Sequence, residues 1–131
     1  MTTTTANTRR LTMAQALVAH LAALKVEMDD GTTVPYCAGV WAIYGHGNVA
    51  GLGEALAQHR AALPVHRAHN EQAMAHAAIA YAKANFRQRI MAVTTSIGPG
   101  ATNLLTAAAL AHVNRLPVLL LDMRIAMPPV I

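Results

Sequence analysis

"RIMAVTTSIGPGATNLLTAAALAHVNRLPVLLL", residues 89–121, decides how the chain is read. The apolar run 89–96 reads as a buried strand, and a Gly-Pro-Gly turn follows it. An alanine-rich helix then spans 100–114, and 116–121 returns as a second strand. Strand, helix and strand in that order predict a parallel pair joined by a right-handed crossover. In the turn, Gly98 and Gly100 take backbone angles closed to other residues, while Pro99 stiffens the loop and removes a donor. The N–H groups of Ala101, Thr102 and Asn103 then stand at a helix start, where partial positive charge favours an anion or the polar edge of a ligand. Tight packing of helix on strand accounts for such a turn equally well. It is not a phosphate loop of the NTPase type, because no Gly-Lys-Ser/Thr follows, and its glycines lack the dinucleotide spacing.

The same rhythm runs back towards the N-terminus. Thr12 caps a helix whose positions Ala16, Leu17, His20, Leu21 and Leu24 recur at helical spacing, and "MDDGTTVPY" (28–36) breaks it. "GVWAIYG" (39–45) reads as a strand, 49–58 as a short helix, "LPVHRA" (63–68) as a strand, and 70–85 as a strong helix capped by Asn70. Alternation of this kind predicts an α/β domain with a parallel sheet flanked by helices. Ligands of such sheets gather at the carboxyl ends of the strands. Three loops share that edge: "YGHGN" (44–48), "AHNEQ" (68–72) and "TSIGPGATN" (95–103). Glu71, one of six acidic residues, falls at a helix start just after a strand. There the helix dipole alone would justify it, and its functional reading comes from the company of the other two loops.

Composition bounds the rest. With 131 residues and 54% hydrophobic side chains, one domain with its own core is expected. Charged or polar residues interrupt every apolar run before the roughly 20 residues a bilayer crossing needs, so no membrane partner is expected. "MTTTTANTRR" is polar, and residues 11–24 carry Gln15 and His20, so no signal core follows the arginines. Cys37 is the single cysteine and suits a reducing cytoplasm. The formal charge is +4, but the basic residues are dispersed and no aromatic interleaves with them, which argues against nucleic acid. His66, His69 and His76 find no cysteine or carboxylate at a spacing that completes a metal shell, so no protein-ligated metal is expected.

"YGHGNVAGLGEAL" (44–56), "RAHNEQAMAHAAIAYAK" (67–83) and residues 91–121 together resemble the N-terminal, pyrimidine-binding domain of thiamine diphosphate enzymes, over about residues 10–121. "GPGATN" is shared by many members of that superfamily, acetolactate synthases among them. "GHGNVAGLGEAL" is narrower and is similar to the hydrolases that open the ring of 3D-(3,5/4)-trihydroxycyclohexane-1,2-dione in myo-inositol breakdown.

The resemblance implies thiamine diphosphate with Mg²⁺ as cofactor, a cyclic dione as substrate and a homo-oligomer as assembly. It makes Glu71 the carboxylate that hydrogen-bonds N1′ of the aminopyrimidine, a role suited to a carboxyl group pushed towards its neutral form in a dry interface. In the reaction the resemblance implies, the cofactor would supply a nucleophilic carbon for a carbonyl of the dione, the adjacent C–C bond would break, and water would release 5-deoxy-glucuronate. His46 and Asn48 fall in the loop that faces cofactor and substrate, where a histidine can transfer protons; a hydrogen-bonded loop histidine is the plain alternative. Gly45, Gly47, Gly98, Gly100 and Asn103 would line the cofactor.

Relatives hold the diphosphate and Mg²⁺ with a Gly-Asp-Gly motif in a further domain, and no such motif occurs in these 131 residues. After Leu121 the sequence reads "DMRIAMPPVI". The expected organisation is a polar tail over 1–9, a partial pyrimidine-binding domain over 10–121, and a non-family tail over 122–131 left by truncation or frameshift. A chain of that kind is expected to be inactive alone. A split thiamine diphosphate enzyme and a non-catalytic α/β interaction module are the alternatives.

Overall fold

A computed structural model describes residues 8–122. The expectations for both tails fall almost wholly on residues 1–7 and 123–131, outside that range.

Helix α1, Met13–Ala23, starts at Thr12 with a reciprocal cap. The Thr12 hydroxyl accepts from the Gln15 amide at 3.2 Å, and the Gln15 side chain accepts from the Thr12 amide at 3.0 Å. Its buried positions are Ala14, Val18 and Leu21, with Leu17 and Leu24 half-buried. Ala16 and His20, assigned to the apolar face by spacing, are exposed. The segment expected to be irregular, 28–36, holds the turn and second strand of a hairpin, β1 (Lys25–Glu27) against β2 (Thr33–Pro35), antiparallel with Val26 opposite Val34. Its turn is closed by the Asp30 carboxylate, which accepts from the Thr32 amide at 2.9 Å and the Thr32 hydroxyl at 2.6 Å, and Gly31 supplies φ +80°. Those two bonds hold the Asp30 carboxyl below its ordinary value.

The four sequence-predicted strands are present as β3 (Cys37–Ala42), β4 (Val65–His66), β5 (Ile90–Thr95) and β6 (Leu119–Asp122). They form one parallel sheet in the order β4-β3-β5-β6. β5 is buried along its whole length, as a central strand covered on both faces should be. A bulge shifts the register of β3 between Cys37 and Val40. At Gly39, within that bulge, a Cβ would come 2.8 Å from the Pro64 carbonyl, so the missing side chain lets the approach to β4 close in.

Between β3 and β4 the chain winds through α2 (Gly45–Asn48), a wider π-type turn (Val49–Gly53) and α3 (Glu54–Gln58), where a single short helix is predicted over 49–58. Helix α4 is Glu71–Ala84. The predicted helix over 100–114 is broken at Leu104 into α5 (Pro99–Asn103) and α6 (Leu105–Val113). One core joins α1, the π-type turn and α3 to Val40, Ala42, Ile90 and Ala92. The other joins α4 and α6 to Met91 and Val93. Cys37 lies in the first core, and burial pushes its thiol above the ordinary value. No helix among the described residues is long and apolar enough to cross a membrane.

Topology now locates a crevice. From β3 the chain turns to β4 on one side, then crosses back through α4 to β5 on the other. The loops leaving β3 and β5 therefore diverge to opposite faces, and the gap between adjacent carboxyl ends is where a sheet of this kind binds ligands.

Candidate functional site

Glu71 stands in the first turn of α4, against the loop that leaves β5. Asn70 caps the helix with extended backbone, its side chain accepting from the Ala73 amide at 2.8 Å, which sets the direction in which the next residue leaves. The Glu71 carboxylate takes one hydrogen bond on each oxygen: Ser96 Oγ donates to Oε1 at 3.5 Å, and Asn103 Nδ2 donates to Oε2 at 3.3 Å. Both are longer than the usual range, and a carboxylate offers about four acceptor positions. The group is thus oriented by two light contacts with acceptor capacity left for a ligand.

Gly100 forms the floor of this cluster. It is buried, and a Cβ on it would overlap Ser96 Oγ and stand 2.6 Å from Glu71 Oε1 and 2.8 Å from Thr95 Oγ1. Its reason for being glycine is room beside the carboxylate. It lies within α5 and has no positive φ, so the expectation of special backbone angles holds for Gly98 alone, at φ +67°. The Thr102 amide is likewise not open to a ligand, since it donates to the Gly98 carbonyl at 3.0 Å. Of the three amides expected to be open at that helix start, Thr102's is therefore closed. What α5 delivers to the site is the Asn103 side chain.

The glycine-rich loop after β3 rests on the same turn. Gly45 has φ +62°, and a Cβ there would come 2.6 Å from Ser96 Cβ, so the two loops touch through a residue that tolerates both demands. Asn48 is buried, and its Nδ2 donates to the Thr95 carbonyl at 3.4 Å, tying the loop to the end of β5. His46 and Gly47 are exposed. His46 borders two adjoining cavities, one of about 190 Å³ against Asn48 and Ser96 and one of about 460 Å³ against Tyr44 and Arg67.

Of the residues singled out by sequence, Glu71, Gly100 and Asn103 meet in one cluster, and Gly45 and Asn48 fasten its neighbouring loop. Gly98 shapes the turn from open space, and His46 stands on the cavity wall. Ser96, Tyr44 and Arg67 were not singled out. A hydroxyl residue directly after a buried strand and before a Gly-Pro-Gly turn was the available signal for Ser96. Nothing in the sequence pairs Tyr44 with Arg67. Among the described residues no group of three His, Cys, Asp or Glu is placed to hold a metal ion. His66 packs against Trp41, with ring centroids 5.1 Å apart and ring planes tilted by 41°.

Residues 37–127 match the family described as the thiamine pyrophosphate enzyme, N-terminal TPP binding domain. A 3D-(3,5/4)-trihydroxycyclohexane-1,2-dione hydrolase of Listeria innocua is 52% identical over 117 residues, 89% of this chain and 18% of the relative. The hydrolase of the same name from Shouchella clausii is 53% identical over 116 residues, 88% of this chain and 18% of the relative. That from Bacillus subtilis is 50% identical over 112 residues, 86% of this chain and 17% of the relative. The chain therefore spans about 18% of the length of the curated relatives it matches.

Proposed function

The chain belongs to the thiamine pyrophosphate enzymes through their N-terminal TPP binding domain, and from that premise we propose that it forms the pyrimidine-binding part of a hydrolase that opens the ring of 3D-(3,5/4)-trihydroxycyclohexane-1,2-dione in myo-inositol breakdown. The observation that carries the reading is the Glu71 carboxylate, held at the carboxyl end of the sheet by Ser96 and Asn103 from the loop and helix that follow β5. It is supported by relatives above 50% identity that bear that hydrolase's name.

The residues present fit an aminopyrimidine ring. Such a ring needs a carboxyl group to share a proton with a ring nitrogen and a backbone that lets a flat group approach. Glu71 meets the first need, and Gly98, where a Cβ would have nothing within 4 Å, leaves the backbone of the turn open for the second. Asn103 and Ser96 keep the carboxyl oxygens in place, so that the proton is held at one position against the ring. When bound, thiamine diphosphate supplies the nucleophilic carbon that cleaves a C–C bond beside a carbonyl. His46, on the cavity wall, moves a proton at a substrate oxygen.

Glu71 is only half-buried in this chain, so a dry setting for its proton calls for a second wall. In this proposal a further domain of a partner copy supplies that wall together with the Mg²⁺ and diphosphate contacts, and the working assembly is a homo-oligomer in a reducing cytoplasm. The test is a chimera in which residues 10–121 replace the matched segment of the Listeria innocua hydrolase. It should turn over the dione, and Glu71→Gln should lower kcat by about 10²–10⁴ with an unchanged melting temperature. Retained turnover in that variant would overturn the assignment.

A further inference from the structure

Beside the Glu71 cluster, the cavity of about 460 Å³ is walled by Ile43 and Val49 and rimmed by Tyr44, His46 and Arg67. It continues, through Tyr44, Gly45 and His46, into the smaller space bordered by Ser96, whose hydroxyl reaches Glu71. Its size and its apolar wall with a few convergent polar groups are those of a small-molecule site. Its charge is one-sided, since no acidic side chain lines it. Among the described residues Arg67 meets the Tyr44 ring, with its guanidinium carbon 5.8 Å from the centroid, and no carboxylate. A guanidinium placed over a ring with no carboxylate partner keeps N–H groups for a ligand and is well suited to grip a carboxylate with two of them.

We infer that this cavity is a subsite for a polyhydroxylated carboxylate, a sugar acid of about six carbons, with Arg67 as the specificity-determining residue that reads its charge. The inference rests on the dione-hydrolase reading. When the bond between the two carbonyl carbons breaks, the hydroxyl of one water joins one carbon and the remaining hydrogen joins the other. One end becomes a carboxylic acid, which ionises, and the other an aldehyde, with no oxidant or reductant consumed. A neutral substrate thus becomes an anion inside the site, and Arg67 meets the end that acquires the charge. The same contact fixes which carbonyl faces the Glu71 side of the crevice.

Titration of the isotope-labelled chain by NMR tests this, using sodium glucuronate as the acidic probe and myo-inositol as the neutral one, read at Tyr44, His46 and Arg67. Glucuronate should bind about tenfold more tightly than inositol, as one charge-assisted contact provides. Arg67→Gln, at an exposed position, should bring the two to parity while the remaining spectrum stays folded. Equal response to both probes, no response at these residues, or discrimination that survives in the variant would each overturn the subsite. An E71Q chimera with full turnover would overturn the hydrolase reading instead, leaving the Arg67 titration to be judged by its own result.

Discussion

A methyl group on Gly100 would overlap the Ser96 hydroxyl and stand 2.6 Å from a Glu71 oxygen. A methyl group on Gly98 would meet nothing within 4 Å, yet Gly98 sits at φ +67°. The two glycines of one short turn are therefore needed for different reasons, and their alanine variants should differ in kind. Gly100→Ala should destabilise by about 1–3 kcal/mol through overpacking in urea unfolding, and it should also displace the carboxylate and silence the chimera. Gly98→Ala should cost about 1–2 kcal/mol through backbone strain and leave Glu71 in place. Equal loss of activity in both would show that the turn, and not the space around the carboxylate, is what matters. Sequence flagged both glycines but assigned them the same dihedral role, because clearance around a side chain from another helix is not written in the local chain. Ser96 escaped notice for that reason too, since a serine after a strand is common and its partner lies 25 residues away.

At the level of elements, the caps were the most legible features. Thr12 and Asn70 were both assigned from residue type and position, and both accept the expected backbone hydrogen bonds. Asn70→Ala should cost about 1 kcal/mol in thermal unfolding, the usual loss of a good cap. It should lower the activity of the chimera by more than that stability loss explains, because the cap sets where Glu71 departs. Activity that tracks stability alone would remove the aiming role. Less legible was the division of 100–114 at Leu104, where the Leu104 amide turns back to the Ala101 carbonyl at 3.1 Å beside Asn103, whose side chain reaches Glu71. Alanine-rich sequence favours helix on both sides, so periodicity alone carried no sign of the break. The β1–β2 hairpin was missed because three-residue strands are too short for an alternating pattern. On α1 the predicted stripe was partly displaced, since a helix with apolar residues nearly all round lets the core it meets choose the face.

For the molecule as a whole, the Glu71 cluster offers a cofactor one carboxylate, one amide and one hydroxyl, and the sequence contains no Gly-Asp-Gly motif for a metal-bound diphosphate. The diphosphate carries most of the cofactor's charge, and Mg²⁺ is held mainly by carboxylates and phosphate oxygens. Calorimetry with thiamine diphosphate and Mg²⁺ should therefore show these 131 residues binding more weakly than about 1 μM. Saturation at lower concentration would mean that the chain holds the charged end as well. By itself the sequence determined the alternation of strands and helices, the helix start that carries Glu71, and the gathering of three loops at one sheet edge. Periodicity and capping act over a few neighbouring residues, and the alternation they produce implies parallel strands whose carboxyl ends share one edge. Only the tertiary structure decided that Asn103, 32 residues on, would hold Glu71, that Gly45 would rest on Ser96, and that Arg67 would lie over Tyr44. Those meetings depend on strand order and on the crossover between β4 and β5, which bring distant loops within hydrogen-bonding reach through packing that no local pattern encodes.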